Sequence, residues 1–85
     1  MPKTLFKSAK GEIHFGLNAP PGFASLNKDD AKKILSNLGK MKLWRCAVCN
    51  DMHIGIAPPQ VCPTCGTLNA YVEISMQELK TVIGL

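Results

Sequence analysis

The hydrophobic pattern first predicts short strands. Strand-forming residues at 4–7 and 12–15 flank a polar, glycine-containing turn at 8–11, which predicts a β-hairpin. Residues 43–45 and 71–74 are two further strand candidates of similar length. Strands this short stabilise a protein only when they pair.

Two other segments have the spacing of amphipathic helices. Apolar residues recur at i, i+3, i+4 and i+7 from Ala31, between a suitable N-cap at Asn27 and a suitable stop at Gly39. This pattern predicts a helix over residues 28–38. Ser75, followed three positions later by Glu, forms a capping box that predicts a short C-terminal helix. The apolar face of that second helix would consist of Met76, Leu79, Val82 and Ile83.

The composition is that of one small ordered domain. Hydrophobic residues make up 46% of the 85 residues and charged residues 19%, which disfavours a disordered chain. A chain of this length buries too little apolar surface to be very stable without disulfides, a metal or a partner. The sequence contains no run of membrane-spanning length, and its first residues lack the apolar stretch of a signal peptide. We therefore expect a cytoplasmic protein that does not insert into membranes.

The net charge of +4 is unevenly distributed along the chain. Residues 1–45 hold nine basic and three acidic side chains, whereas residues 46–85 hold one basic and three acidic side chains. Charge asymmetry of this kind indicates an interaction surface. We divide the chain into a basic N-terminal segment, residues 1–41, containing the hairpin and the first helix, and a metal-binding domain, residues 42–85.

The metal-binding domain is inferred from four cysteines in two C-x-x-C pairs separated by 12 residues: Cys46, Cys49, Cys62 and Cys65. Each pair can turn both sulfurs toward one point, so two pairs can surround one ion tetrahedrally. Two disulfides would be rare in a reducing compartment, and a thioredoxin-like site uses one pair. The spacing leaves iron and zinc open. We expect no internal repeat beyond these two pairs.

The turns themselves suit metal binding. Pro63 fixes φ inside the second pair, and Gly66 can adopt the positive φ with which the chain leaves such a turn. Asn50 holds the matching position after the first pair, and asparagine is among the few other residues that tolerate this conformation.

The residues around the pairs resemble the rubredoxin-like domain of rubrerythrins over about residues 42–74. The similar features are the run 43–49, the His53, Gly55 and Ala57-Pro58 frame that follows it, the run 61–65, and the closing run 69–73. The resemblance implies a small α+β fold with two metal knuckles on a short antiparallel sheet. It also implies one iron ion, cycling between Fe³⁺ and Fe²⁺ and held by the four cysteines, with Trp44 and Tyr71 beside it.

The chain departs from that family at two points. Asn50 and Asp51 replace the usual Gly-Tyr after the first pair, which removes one aromatic and favours a zinc ribbon slightly. Rubrerythrins also carry a four-helix di-iron bundle, whereas this sequence has no Glu-x-x-His motif, so we expect no di-iron peroxidase here. We expect His14 to have a surface or structural role. His53 is not expected to be a ligand, because four thiolates complete the tetrahedral coordination of the ion. It could instead contact residues next to the ligands or a partner surface.

Two functions follow from these features. The first is one-electron transfer by a mononuclear Fe(Cys)4 site, as a small carrier or an oxidoreductase subunit that is not a catalyst by itself. Its partner would be a flavoprotein or another oxidoreductase, with the basic segment docking on an acidic surface. The alternative is a structural zinc ribbon, holding Zn²⁺, that mediates protein or nucleic-acid binding. Nucleic acid is the less favoured partner, because the lysines are dispersed and arginine occurs once.

Overall fold

A computed structural model describes residues 3–84. Six strands and two helices follow one another along the chain: β1 (Thr4–Lys7), β2 (Ile13–Gly16), β3 (Ala24–Ser25), α1 (Lys28–Ser36), β4 (Lys42–Cys46), β5 (Met52–Gly55), β6 (Tyr71–Glu73) and α2 (Met76–Ile83). The strands form one sheet in the order β3-β1-β2-β5-β4-β6, with every neighbouring pair antiparallel. The predicted fold class, a small α+β domain with an antiparallel sheet and clustered cysteines, is confirmed.

The same arrangement of elements occurs twice in the chain. A hairpin is followed by a short strand that pairs with the hairpin's first strand, and then by a helix. We call residues 3–36, which contain Lys3, β1, β2, β3 and α1, the N-terminal unit, and we call β4, β5, β6 and α2 with their connecting turns the metal unit. The sheet order is therefore symmetric about the β2–β5 pair, which joins the two units. The division into a segment 1–41 and a domain 42–85 stays a prediction, but the sheet is continuous across its boundary.

The predicted helices form, with one shorter than expected. Helix α1 ends at Ser36 rather than at residue 38, because the N–H of the C-cap Asn37 donates to the Ile34 carbonyl and closes the last turn. Both N-caps are formed, since the Asn27 and Ser75 side chains each accept a hydrogen bond from the N–H three residues later. Each cap of this kind contributes about 1 kcal/mol to helix stability.

One face of the sheet forms the apolar core with both helices. The buried apolar residues of this core are Leu5, Ile13, Ala31, Leu35, Leu43, Met52, Ile54, Leu79 and Ile83. Helix spacing places Ala31 and Leu35 on one side of α1, and Leu79 and Ile83 on one side of α2. Neither helix, within the part of the chain that is described, is long and apolar enough to cross a bilayer.

The other face of the sheet carries the residues that surround the cysteines. Side chains alternate along a strand, so His14 and His53 point away from the helices while their neighbours enter the core. The register places Phe6, His14, His53 and Trp44 in one row across four strands. Strand β5 was not predicted from the hydrophobic pattern, because all four of its residues are buried, including the polar His53.

Candidate metal centre

Each cysteine pair lies in a tight turn closed by backbone hydrogen bonds. In the first turn the Asn50 N–H donates to the Cys46 carbonyl at 2.9 Å, and Asn50 has a φ of 65°. In the second turn the Gly66 N–H donates to the Cys62 carbonyl at 2.8 Å, and Gly66 has a φ of 75°. The two turns thus share one geometry, with a left-handed residue at the position where asparagine or glycine was expected.

The two turns bring all four sulfur atoms together. The four Sγ atoms lie within 4.8 Å of one another. Cys46 and Cys65 are 3.7 Å apart at sulfur, and Cys49 and Cys62 are 3.3 Å apart. A tetrahedron with metal–sulfur bonds of about 2.3 Å has edges of about 3.8 Å, so the cluster fits one thiolate-bound ion. The structure therefore brings together every residue predicted as a ligand, and these four cysteines form a potential metal site.

The cysteines differ in their exposure and acidity. Cys46 and Cys62 are buried, Cys49 is half-buried and Cys65 is exposed. Burial raises the pKa of the Cys49 and Cys62 thiols, whereas the hydroxyl and backbone N–H of Thr67 lower the pKa of Cys65 to about 6. The lowered pKa favours the thiolate form of Cys65 at neutral pH, whereas an ion must displace protons from the Cys49 and Cys62 thiols.

The two aromatic residues expected beside the site behave differently. Tyr71 pairs with Cys46 across β6 and β4, and burial followed by the neighbouring Cys62 sulfur raises the pKa of its hydroxyl. That hydroxyl is buried and has no hydrogen-bond partner among residues 3–84, so it is available to the cysteines. The Trp44 indole instead donates to the Gly55 carbonyl at 3.2 Å. Gly55 lies at the end of the sheet remote from the cysteine turns, so the indole N–H points away from the site.

The two histidines form a buried pair next to the cysteine cluster. His14 is fully buried and His53 is 3% exposed. Their Nδ1 atoms are 3.3 Å apart, while the Nε2 atom of His14 lies 3.1 Å from the Asp51 carboxylate. When both rings are uncharged, His14 therefore donates to Asp51 through Nε2 and accepts from His53 at Nδ1. The expected structural role for His14 fits this position, but the residue does not lie at the surface.

Asp51 connects the histidine pair to the cysteines. Its carboxylate is fully buried and accepts a hydrogen bond from the Cys62 thiol at 3.7 Å. The Lys3 ammonium lies 3.1 Å from Asp51 Oδ1, out of line for a hydrogen bond, and donates to the Cys49 carbonyl. Burial opposes ionisation of Asp51, but hydrogen bonds led by that from His14, and the Lys3 charge, lower its pKa to about 2. Asp51 is therefore an anion beside the candidate ligands.

Lys3 and Asp51 were not predicted as site residues, yet the sequence contains a signal for Asp51. Glu12-x-His14-x-Gly16 in and before β2 matches Asp51-x-His53-x-Gly55 in and before β5. Further matches between the units include Leu5 with Leu43 and the runs Ala19-Pro20-Pro21 and Ala57-Pro58-Pro59. The expectation of no repeat beyond the cysteine pairs was therefore wrong.

The repeated glycines explain how this face accommodates carboxylates. A Cβ on Gly16 would lie 2.6 Å from the carboxylate carbon of Asp51, and a Cβ on Gly55 would lie 3.0 Å from Glu12 Oε2. In the antiparallel β2–β5 pair, the acid that precedes each strand therefore faces the glycine that ends the other strand. Glycine in a strand marks such a close approach.

Comparison with known proteins identifies the segment that holds the cysteines. Residues 44–72 match the family model described as the rubrerythrin, rubredoxin-like domain, which confirms the resemblance seen in the sequence over that segment. The match covers less than half of the chain and leaves out the N-terminal unit. No curated protein and no solved structure gave a match.

Proposed function

We propose that this protein transfers single electrons through one iron ion bound by Cys46, Cys49, Cys62 and Cys65. The observation that carries the proposal is a four-sulfur cluster of tetrahedral size inside the segment that matches the rubredoxin-like domain. Iron held by four thiolates can gain or lose one electron with little change in geometry. The protein would act as a small carrier or as a subunit of an oxidoreductase, and not as a catalyst by itself.

The exposure of the cysteine turns supports electron exchange with a partner. Cys65 is exposed, and Val48 and Leu68, which lie within and just after the turns, are 62% and 66% exposed. An apolar rim around an exposed ligand suits the small contact of a transient redox encounter. We propose a flavoprotein or another oxidoreductase as the partner, and the cytoplasm as the location, because thiols stay reduced there.

The second candidate function is a structural zinc ribbon. The replacement of the family's aromatic residue by Asp51 favours it, because the site loses one aromatic that would shelter it from solvent, and a redox-inactive ion does not need that shelter. Zinc has no redox chemistry, so it would only hold the two turns together. The zinc form could then present the basic N-terminal unit to a protein or nucleic-acid partner.

Metal identity distinguishes the two functions. The protein is produced in cells with ample iron and no added zinc, purified without metal, and analysed for both elements. An iron protein should be red, with sulfur-to-iron charge-transfer bands that bleach on addition of dithionite and return in air. A Cys62→Ser variant should lose these bands or shift them strongly. A colourless wild-type protein containing one zinc per chain under these conditions would exclude the electron-transfer proposal.

Nucleic-acid binding is tested separately. Binding of a labelled duplex and of a labelled single strand is measured at low and at physiological salt, because phosphate contacts by lysines weaken steeply as salt increases. We expect no binding at low salt. Salt-sensitive binding to either probe would favour the zinc-ribbon alternative.

A further inference from the structure

Two residues of the N-terminal unit reach into the surroundings of the metal site. Lys3, which precedes β1, places its ammonium 3.1 Å from Asp51 Oδ1 and donates to the Cys49 carbonyl. His14 in β2 lies 3.1 Å from Asp51 Oδ2. Asp51 itself contacts the Cys62 sulfur at 3.7 Å. The N-terminal unit therefore contacts both cysteine turns, directly at Cys49 and through Asp51 at Cys62.

These contacts have definite electrostatic consequences once the cysteines bind an ion. Four thiolates carry a charge of −4, so a ferric site has a net charge of −1 and a ferrous site a net charge of −2. A carboxylate beside Cys62 opposes the added electron, and an ammonium beside that carboxylate favours it. Both groups are largely removed from water, since Asp51 is fully buried and Lys3 is 23% exposed, so solvent screens them weakly.

We propose that the N-terminal unit sets the reduction potential of the metal centre through Asp51 and Lys3. Asp51 lowers the potential, Lys3 raises it, and His14 is the positioning residue that holds the Asp51 carboxylate beside Cys62. This inference rests on the proposed electron transfer for its redox meaning. It also gives the N-terminal unit a role, as a permanently attached partner of the metal unit rather than a separate domain.

The repeat provides an internal control. Glu12 occupies in the N-terminal unit the place that Asp51 has in the metal unit, one residue before its strand and two before its histidine. Glu12 faces Gly55 and lies 3.9 Å from His53 Nε2, at the sheet end opposite the cysteine turns. Its side chain is 32% exposed. Neutralising Glu12 removes the same charge as neutralising Asp51, at a place that solvent screens and that is remote from the ligands.

The test is a redox titration of the iron-loaded full chain and three variants, Asp51→Asn, Lys3→Met and Glu12→Gln. We expect Asp51→Asn to raise the ratio of ferrous to ferric protein at a fixed potential about tenfold, which is about 59 mV for a one-electron couple. Lys3→Met should lower that ratio, and Glu12→Gln should leave it within twofold of wild type. Thermal unfolding of the zinc-loaded proteins shows which variants keep the fold.

A parallel measurement with cobalt separates this proposal from the proposed function. In Co²⁺-loaded protein the thiolate-to-cobalt charge-transfer bands should shift in opposite directions in Asp51→Asn and Lys3→Met, and hardly at all in Glu12→Gln. If wild-type protein does not bind iron but these cobalt shifts occur, the proposed electron transfer is excluded, and the electrostatic effect of Asp51 and Lys3 on the metal site is supported. If wild type shows a reversible iron couple that neither folded variant moves, the proposal is overturned and electron transfer stands.

Discussion

The buried histidine pair is the most unusual feature of this protein at the level of single residues. Buried polar groups are nearly always hydrogen-bonded, and here each ring nitrogen of His14 has a partner. The second nitrogen of His53 faces Glu12 at the longer distance of 3.9 Å. His53 is thus a buried ring whose second nitrogen has no close hydrogen-bond partner to offset the cost of burying a charge.

Protonation of His53 should make the stability of the protein depend on pH. Burial, followed by the charge of His14, lowers the pKa of His53 from 6.5 to about 4. Below about pH 6.5 the unfolded chain binds this proton, whereas the folded chain binds it only near pH 4. The full free energy of unfolding is therefore available above pH 6.5. We expect the free energy of unfolding to fall by about 3 kcal/mol as the pH decreases from 6.5 to 4.

The measurement for His53 must separate this effect from acid-induced metal loss. Denaturant unfolding of the zinc-loaded wild type is compared with that of a His53→Gln variant at intervals between pH 7.5 and 4.5. Metal loss affects both proteins, so the contribution of His53 is the difference between their slopes of unfolding free energy against pH. Equal slopes, or an imidazole midpoint near pH 6.5 in the folded wild type by NMR, would show that the ring is freely protonated.

The two glycines of the repeat should tolerate substitution differently. In Gly16→Ala the new methyl group would overlap the buried Asp51 carboxylate, which His14 and Lys3 hold in place. In Gly55→Ala it would meet the end of the Glu12 side chain, 3.0 Å away and partly exposed, which can move. We expect Gly16→Ala to cost about 1–3 kcal/mol and Gly55→Ala less, measured by denaturant unfolding of the zinc-loaded proteins. A larger cost for Gly55→Ala would contradict the assigned packing.

At the level of elements, the sequence predicts the helices and turns that are determined by residues close together in the chain. Helix α2 was predicted from its cap at Ser75 and its apolar spacing; the cap is present, and Met76, Leu79 and Ile83 pack on the core. Val82, which was predicted on the same face, is exposed instead. The cysteine turns were predicted because residues within five positions determine them. Strand β5 was not, because its residues are all buried and show no alternation of polar and apolar positions. The contact of Lys3 with Asp51 was not, because it depends on the pairing of β2 with β5 across 39 positions, from His14 to His53. No local pattern specifies such a pairing.

Helix α2 offers a matched test of the core. Leu79 is fully buried in the apolar core, whereas Val82, on the same helix, is 44% exposed. Leu79→Ala should cost about 2–5 kcal/mol, since it removes buried methyl groups and leaves a cavity. Val82→Ala should change the unfolding free energy by much less. Comparable losses in the two variants, measured by denaturant unfolding, would show that α2 packs through a different face.

At the scale of the whole molecule, the charge asymmetry has a spatial counterpart. Lys7 and Lys42 lie at one end of the sheet, in register with residues 13 and 55, while Cys46 lies at the other end with Tyr71. An acidic partner that bound Lys7 and Lys42 would therefore contact the end of the sheet remote from the cysteine turns. Lys3 and Arg45 lie at the metal end instead, and each is already paired with a carboxylate, Lys3 with Asp51 and Arg45 with Glu78.

Metal removal should reveal whether the two units unfold together. Metal binding supplies folding free energy to the cysteine turns, and β2 is joined to them through its pairing with β5 and through the contact of His14 with Asp51. We expect a chelator to reduce the hydrogen-exchange protection of the Ile13 and Phe15 amides nearly as much as that of the β5 amides. The measurement compares zinc-loaded and metal-free protein at one pH by NMR. If protection in β2 stays unchanged while that in β5 is lost, the N-terminal unit folds independently, as a division into two domains would require.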